Sequence, residues 1–296
     1  MLAGAQKQLP GSAAMTAAGR ALMTGLVDYA GLFPPAGLGM LEAVRRYREY
    51  LAGPDRWALG RFVVPAARLA EFEAAFEEVC CGEREPVWPL SVLGSGGDLG
   101  RLARGAVLVE SLEIKATDAA DAERLLAELG TGIPVYVEFA PGDADAMLPV
   151  LARRGARAKI RTGGVTAKAF PSVEAVAEFL LACARARVAF KATAGLHHVV
   201  RCSYKLTYEL ESAQAVMHGF ANVFLAAALA WRGAEKRALA ETLEATEFSF
   251  SDDGVTWLGF ELGVDEIAAV RREFAMSYGS CSFEEPVGEA QTLGWV

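Results

Sequence analysis

The stretch that decides the fold is ARAKIRTGG (156–164), followed by VEAVAEFLLACARA (173–186) and RVAFKATAGLHHVVR (187–201). Two short apolar runs of strand character flank one run of helical period, the pattern of a β-α-β unit. Each strand carries a lysine near its end, Lys159 and Lys191. Each then runs into glycine, Gly163 and Gly164 after the first and Gly195 after the second. Residues two apart in a strand share a face, so Lys159 groups with Arg161 and Lys191 with Thr193. Buried parallel strands ordinarily read as unbroken Val, Ile and Leu, so a lysine inside one costs stability and calls for a reason.

The same alternation continues toward the N-terminus. GLVDYAGLFPP precedes MLEAVRRYREYLAG, LGRFVVPA precedes ARLAEFEAAFEEVC, and WPLSVLGSGG precedes DLGRLARG. AVLVESLEIKA then precedes DAADAERLLAELG, and IPVYVEFAP precedes DADAMLPVLARRG. Helices open at capping residues such as Asp118 and Asp143 and stop at Gly130 and Gly155. GFANVF (219–224) supplies an eighth strand, although ANVFLAAALAWR reads equally as one buried helix. Such regularity leaves an open doubly wound sheet or a closed (β/α)8 TIM barrel. No Gly-x-Gly-x-x-Gly follows the first strand, and polar residues recur near strand ends, which favours the barrel. The expected division is a loose tail over 1–14, the barrel over 15–233, and a C-terminal extension over 234–296 packing on it. Within the extension, FSFSDDGVTWLGF reads as a hairpin around Asp253 and Gly254, DEIAAVRREFAMSYG as a last helix, and GSCSFEEP as a flap over the barrel mouth.

With 296 residues and 53% hydrophobic content, the chain can bury a large core. A formal net charge of -8 and the lack of any Lys/Arg-rich run argue against nucleic acid as a partner. Five cysteines without a Cys-x-x-Cys spacing suggest neither a disulfide framework nor a zinc ribbon, and fit a reducing cytoplasm. No signal peptide or apolar span of membrane length is read. The partner expected is a small anionic molecule, with homo-oligomerisation left open. No cofactor is implied.

The run Lys159-Ile160-Arg161-Thr162-Gly163 resembles the Lys-Thr-Ser-Thr-Gly strand of the deoxyribose-phosphate aldolase family of class I aldolases, and Phe190-Lys191-Ala192-Thr193-Ala194-Gly195 resembles its Phe-Lys-x-x-Gly-Gly. Val135-Tyr136-Val137-Glu138 is similar to the family's fifth strand, Arg61-Phe62-Val63-Val64-Pro65 loosely to its second, and Asp28 stands where its first strand has an aspartate. The resemblance covers roughly Val27 to Phe224 and implies a barrel with a Schiff-base lysine. Two departures matter. Where the family has Glu-Val-Asp, with the aspartate in proton transfer, this chain has Glu113-Ile114-Lys115. The family's Gly-x-Ser-Ser phosphate cradle has no counterpart in GFANVF, so a phosphorylated substrate does not follow.

The chemistry can also be reasoned from the residues. A lysine attacks a carbonyl only as the free amine, which an ordinary pKa near 10.4 makes scarce at neutral pH. Two ammonium groups about 6 Å apart at an effective dielectric of about 20 repel by roughly 2.8 kcal/mol, or about two pKa units. Lys191 would thus activate Lys159, Glu113 and Glu138 would carry protons, and Arg161 with Gly163 and Gly164 would hold an anionic group. Asp28, Lys115, Thr162, Thr193, His197, His198 and Asn222 complete the expected substrate contacts.

Plainer readings stand beside these. The lysines and glutamates could form a structural ion-pair network, Gly163-Gly164 a mere turn, and Asn222 a satisfied amide in a helix. Asp28 and Tyr29 could cap the first loop, and Cys281 could be a structural thiol rather than a nucleophile. The function expected is a Schiff-base lyase making or breaking a carbon-carbon bond. The alternatives are a metal-dependent hydrolase or isomerase using Glu113, His197, His198 and Glu285, and a barrel that binds a small anion without turnover.

Overall fold

A computed structural model describes residues 15–82, 85–94, 107–129 and 132–296. The expected tail (1–14), the DLGRLARG helix and the Gly130 helix stop fall wholly or in part outside the described residues. The first half of the chain alternates as the sequence reading requires: α1 (Ala17–Met23), β1 (Val27–Tyr29), α2 (Met40–Ala52), β2 (Leu59–Pro65), α3 (Leu69–Cys80), β3 (Trp88–Leu93), β4 (Val107–Lys115), α4 (Ala119–Leu129) and β5 (Val135–Glu138). Then follow α5 (Ala144–Arg154), β6 (Arg157–Arg161), α6 (Val173–Ala186) and β7 (Phe190–Thr193). The helix ends obey local chemistry. Ser172 caps α6 by accepting from the Ala175 amide, and Gly155 ends α5 at φ 65°, a conformation open to glycine without strain.

After β7 the chain departs from the sequence reading. A hairpin, β8 (Cys202–Lys205) and β9 (Gln214–Met217), leads into α7 (Phe220–Trp231) and α8 (Lys236–Glu244). A three-stranded antiparallel sheet follows, β10 (Ser249–Phe250), β11 (Gly254–Trp257) and β12 (Phe260–Gly263), then α9 (Val264–Glu273), β13 (Ala275–Ser280) and α10 (Glu284–Thr292). The closed parallel barrel runs β1-β13-β7-β6-β5-β4-β3-β2. The fold is therefore a (β/α)8 TIM barrel, but its eighth strand is β13. GFANVF is not that strand, because it lies almost wholly in α7.

The physical reason lies in both segments. Phe220 to Ala230 is buried throughout and rich in alanine, so it is a helix apolar all round, packed against α6 and α8. AMSYGS lacks a β-branched run because its inward residues must be small and polar. Ser277 bonds the Asp28 carboxylate and Gly279 lines the cavity, while Tyr278 points out and stacks on Phe220 at 5.5 Å.

The expected boundary at 233 is corrected accordingly, since the segment 234–296 closes the barrel instead of only packing on it. Arg271, buried at the end of α9, donates to the Leu22 carbonyl at 2.8 Å and to the carbonyls of Ala275 and Met276, tying the entry to β1 and β13 together. GSCSFEEP as a flap alone would have made removal of the residues after Ser277 cost activity or binding more than stability, but Gly279 and Ser280 belong to β13. Deleting 278–296 would remove half of a strand hydrogen-bonded on both sides. The expected result is loss of the cooperative thermal transition in circular dichroism, and a truncated chain melting like the full one would contradict this topology. No helix of the described residues is long and apolar enough to cross a membrane.

Candidate active site

Alternation along the strands places one residue set inside the barrel, and here that set is ionic where most barrels are aliphatic. Glu113 from β4 sits between the two lysines. Its Oε2 lies 2.8 Å from Lys159 Nζ and its Oε1 2.6 Å from Lys191 Nζ. Lys159 also pairs with Glu138 at 2.9 Å, and Lys191 with Asp28 at 2.6 Å. Ser91 donates to Glu113 Oε1 at 2.6 Å and meets Ser111 at 2.8 Å, while Ser277 donates to Asp28 at 2.7 Å. The backbone N–H of Arg61 supplies Asp28 with a further donor at 2.9 Å. The Tyr136 ring lies 5.5 Å from Lys191 Nζ.

Burial alone would raise the Glu113 carboxyl, but Lys191 and Lys159 outweigh it and hold the group well below the usual carboxylate range. Burial alone would likewise lower Lys191, but Asp28 and Glu113 outweigh it and hold the ammonium above its ordinary value. Lys191 is thus a charge matched by two carboxylates, not the unpaired neighbour that the repulsion argument assumed. The groups that touch Lys159 itself are the carboxylates of Glu113 and Glu138.

Above this cluster opens a cavity of about 520 Å³ at the carboxyl ends of the strands. Glu113, Glu138, Lys159 and Lys191 form its charged floor, and Ala30, Phe33, Pro34, Val63, Leu93 and Ile114 are among its apolar walls. Lys115, Arg161, Gly164, Thr193 and His197 also line it. Lys115 and Arg161 are exposed at the ends of β4 and β6, and among the described residues neither has an ion-pair partner.

The remaining expected contacts are placed elsewhere. Asp28 lies outside the cavity lining and holds Lys191 in place. Thr162 donates to the Ala194 carbonyl at 2.6 Å and joins two loops. A Cβ on Gly163 would stand 2.5 Å from the Phe170 ring and 2.8 Å from Gly195 Cα, so this glycine serves close packing. Neither Gly163 nor Gly164 adopts the left-handed backbone through which a nest of N–H groups alternates. Asn222 is a satisfied amide in α7, accepting from the Arg201 N–H and donating to the Thr242 and Ala245 carbonyls. His198 is turned to Glu289 at 2.5 Å and stacks on Tyr204. The metal arrangement of Glu113, His197, His198 and Glu285 is therefore not assembled, and among the described residues no group of three or more His, Cys, Asp and Glu side chains is placed to hold a metal ion.

Closure through β13 also brings Cys281 to the cavity wall, 3.7 Å from His197 Nδ1, with Ser280 Oγ at 3.3 Å. Burial pushes the thiol up, so it is held as a thiol and not as the nucleophilic thiolate. Burial, with His198 beside it, pulls the His197 imidazole down to about 4. The unfolded chain takes that proton near pH 6.5, so stability is lost as pH falls through the interval between, on the order of 3 kcal/mol. Glu285, whose carboxyl burial pushes up, titrates in the opposite sense. His197→Asn is expected to flatten the slope of unfolding free energy against pH between about 6.5 and 4 in urea melts. An unchanged slope would contradict the assignment.

Ser91, Ser111 and Ser277 were not legible as site residues, and Cys281 was weighed only as a nucleophile or a structural thiol. The serines' signal is only that Ser111 shares a strand face with Glu113 and Lys115. No protein-family model, curated protein or solved structure matches this chain.

Proposed function

We propose that the protein is a Schiff-base-forming lyase that makes or breaks a carbon-carbon bond in a carbonyl compound bearing an anionic group. The observation that carries this is a buried lysine, Lys159, on the floor of an open cavity and flanked by two carboxylates at 2.8 and 2.9 Å. A proton passes from Lys159 to Glu138, the less buried of its partners, and the freed amine attacks the carbonyl carbon. Glu138 returns that proton to the oxygen and then carries a second from the nitrogen to it, so the carbinolamine loses water and becomes the iminium. On cleavage Glu138 takes the proton of a hydroxyl on the β carbon, that fragment leaves as an aldehyde, and the electron pair of the broken carbon-carbon bond passes through the iminium into an enamine. Lys191 stays protonated throughout, bound by Asp28 and Glu113, and fixes Glu113 beside the reacting nitrogen. Lys115 and Arg161 hold the anionic group at the mouth.

This chemistry agrees with the aldolase resemblance, with Glu138 and Glu113 in place of the aspartate that Lys115 replaces. A second reading, a barrel that binds a small anion without turnover, draws on the same unpaired cations at the mouth. Borohydride reduction with a panel of aldehydes and keto acids separates the two by intact-protein mass. A lyase gains the mass of the reduced adduct with at least one carbonyl compound and keeps that gain in the presence of a chelator. A binding barrel shows anion binding and no adduct.

A further inference from the structure

A second cavity of about 340 Å³ adjoins the first and shares Pro35, Gly164, Gly195 and His197 with it. Its outer wall is the β8–β9 hairpin, an insertion between β7 and α7 that contributes no strand to the barrel. Tyr204, Leu206 and Met217 from this hairpin line it, and Leu206 and Met217 are buried. One wall is a preformed aromatic stack, the His198 and Tyr204 rings lying 3.4 Å apart at 10°, with His198 held by Glu289. Of the two cations without an ion-pair partner among the described residues, Lys115 stands at the end of β4, three strands from β7, and Arg161 stands at the end of β6 beside Gly164, where the two cavities meet.

From this layout we infer that the second cavity receives the distal part of the substrate, which is an elongated carbonyl compound with an uncharged aromatic or branched apolar tail. The inference rests on the Schiff-base reading and names its substrate class. With the carbonyl over Lys159 and the anionic group at Lys115 and Arg161, the tail passes His197 into the hairpin cavity. An α-oxo acid with an aryl group on a flexible linker has this order of parts. Lys205 and Glu285 also line this cavity, but most of its lining is apolar or aromatic, and a short sugar aldehyde would leave it empty and forgo the burial that it offers.

The test is borohydride trapping of the full chain with pyruvate and with ω-phenyl α-oxo acids of increasing linker length. The trapping rate at limiting concentration is expected to rise at least about tenfold once the linker lets the ring reach the second cavity. Thr207→Trp, on the half-buried rim of that cavity, should lower the ratio of long-acid to pyruvate trapping by about tenfold. Met217→Ala, which enlarges the cavity, should shift the preference toward a bulkier naphthyl tail. Equal trapping of short and long acids, or a ratio that neither variant moves, overturns the inference.

If no acid labels the protein, the Schiff-base reading fails, and calorimetry with ω-phenylalkanoates, which have no carbonyl, then decides the cavity alone. Binding that Thr207→Trp weakens about tenfold keeps the cavity as a subsite. No binding, or binding equal in both proteins, removes it.

Discussion

Lys191→Met is expected to cost about 3–5 kcal/mol of folding stability, the range for stripping one partner from a buried ion pair. Lys191 is 1% exposed and bonds Asp28 and Glu113, both buried, at 2.6 Å. Without it, Glu113 keeps Lys159, but Asp28 keeps only Ser277, the Arg61 amide and the Arg61 guanidinium at 3.7 Å.

The pH dependence gives this prediction a sign. In the wild type, Glu113 is held below its ordinary value and Lys191 above its own, so what they contribute is present in full from about pH 5 to about pH 10. It decays as pH falls through the depressed carboxylate value and as pH rises through the raised ammonium value. The stability gap between the two proteins should therefore narrow as pH falls below about 5, where the Glu113 contribution is lost from the wild type. Lys191→Met combined with Asp28→Asn should regain part of the loss. Urea melts showing a loss under about 1 kcal/mol, or a gap that widens in acid, would mean that the ion pairs are not holding the barrel interior.

The second large effect is expected at Lys159 without loss of the fold. Lys159→Arg keeps a cation between Glu113 and Glu138, so stability should fall by no more than about 1–3 kcal/mol from the misfit of a larger group. Guanidinium stays protonated and cannot attack a carbonyl, so adduct formation and turnover should vanish together. Glu138→Gln should leave a slower enzyme, by about 10²–10⁴-fold, because the amide can hold the amine but cannot take or return its proton. An arginine variant that still forms the adduct, or a glutamine variant at wild-type rate, would remove these residues from the chemistry.

Most of the barrel could be read from the chain because its strands and helices differ in period, and the eighth strand could not, for a physical reason. AMSYGS has to place Ser277 on Asp28 and Gly279 at the cavity, so it carries none of the β-branched apolar residues that mark most of the other strands. The apolar run beginning at Phe220 has the composition of a strand at its start and belongs to a buried helix. The charged floor was legible, since lysines and glutamates at strand ends are costly enough to stand out. What binds them was not. Serine is ordinary anywhere in a sequence, and only the register of β3, β4 and β13 shows that Ser91 is spent on Glu113, Ser111 on Ser91 and Ser277 on Asp28. The same holds for Cys281 and His197, 84 positions apart, which meet only because β13 lies beside β7.

The most direct measurement is peptide mapping of the borohydride-reduced protein after incubation with the best carbonyl compound of the panel. The expected result is a single reduced adduct on Lys159, absent in Lys159→Arg and present, if more slowly formed, in Glu138→Gln. An adduct on Lys191 or Lys115 would exchange the roles of the lysines, and no adduct on any lysine across the panel would contradict the Schiff-base function itself.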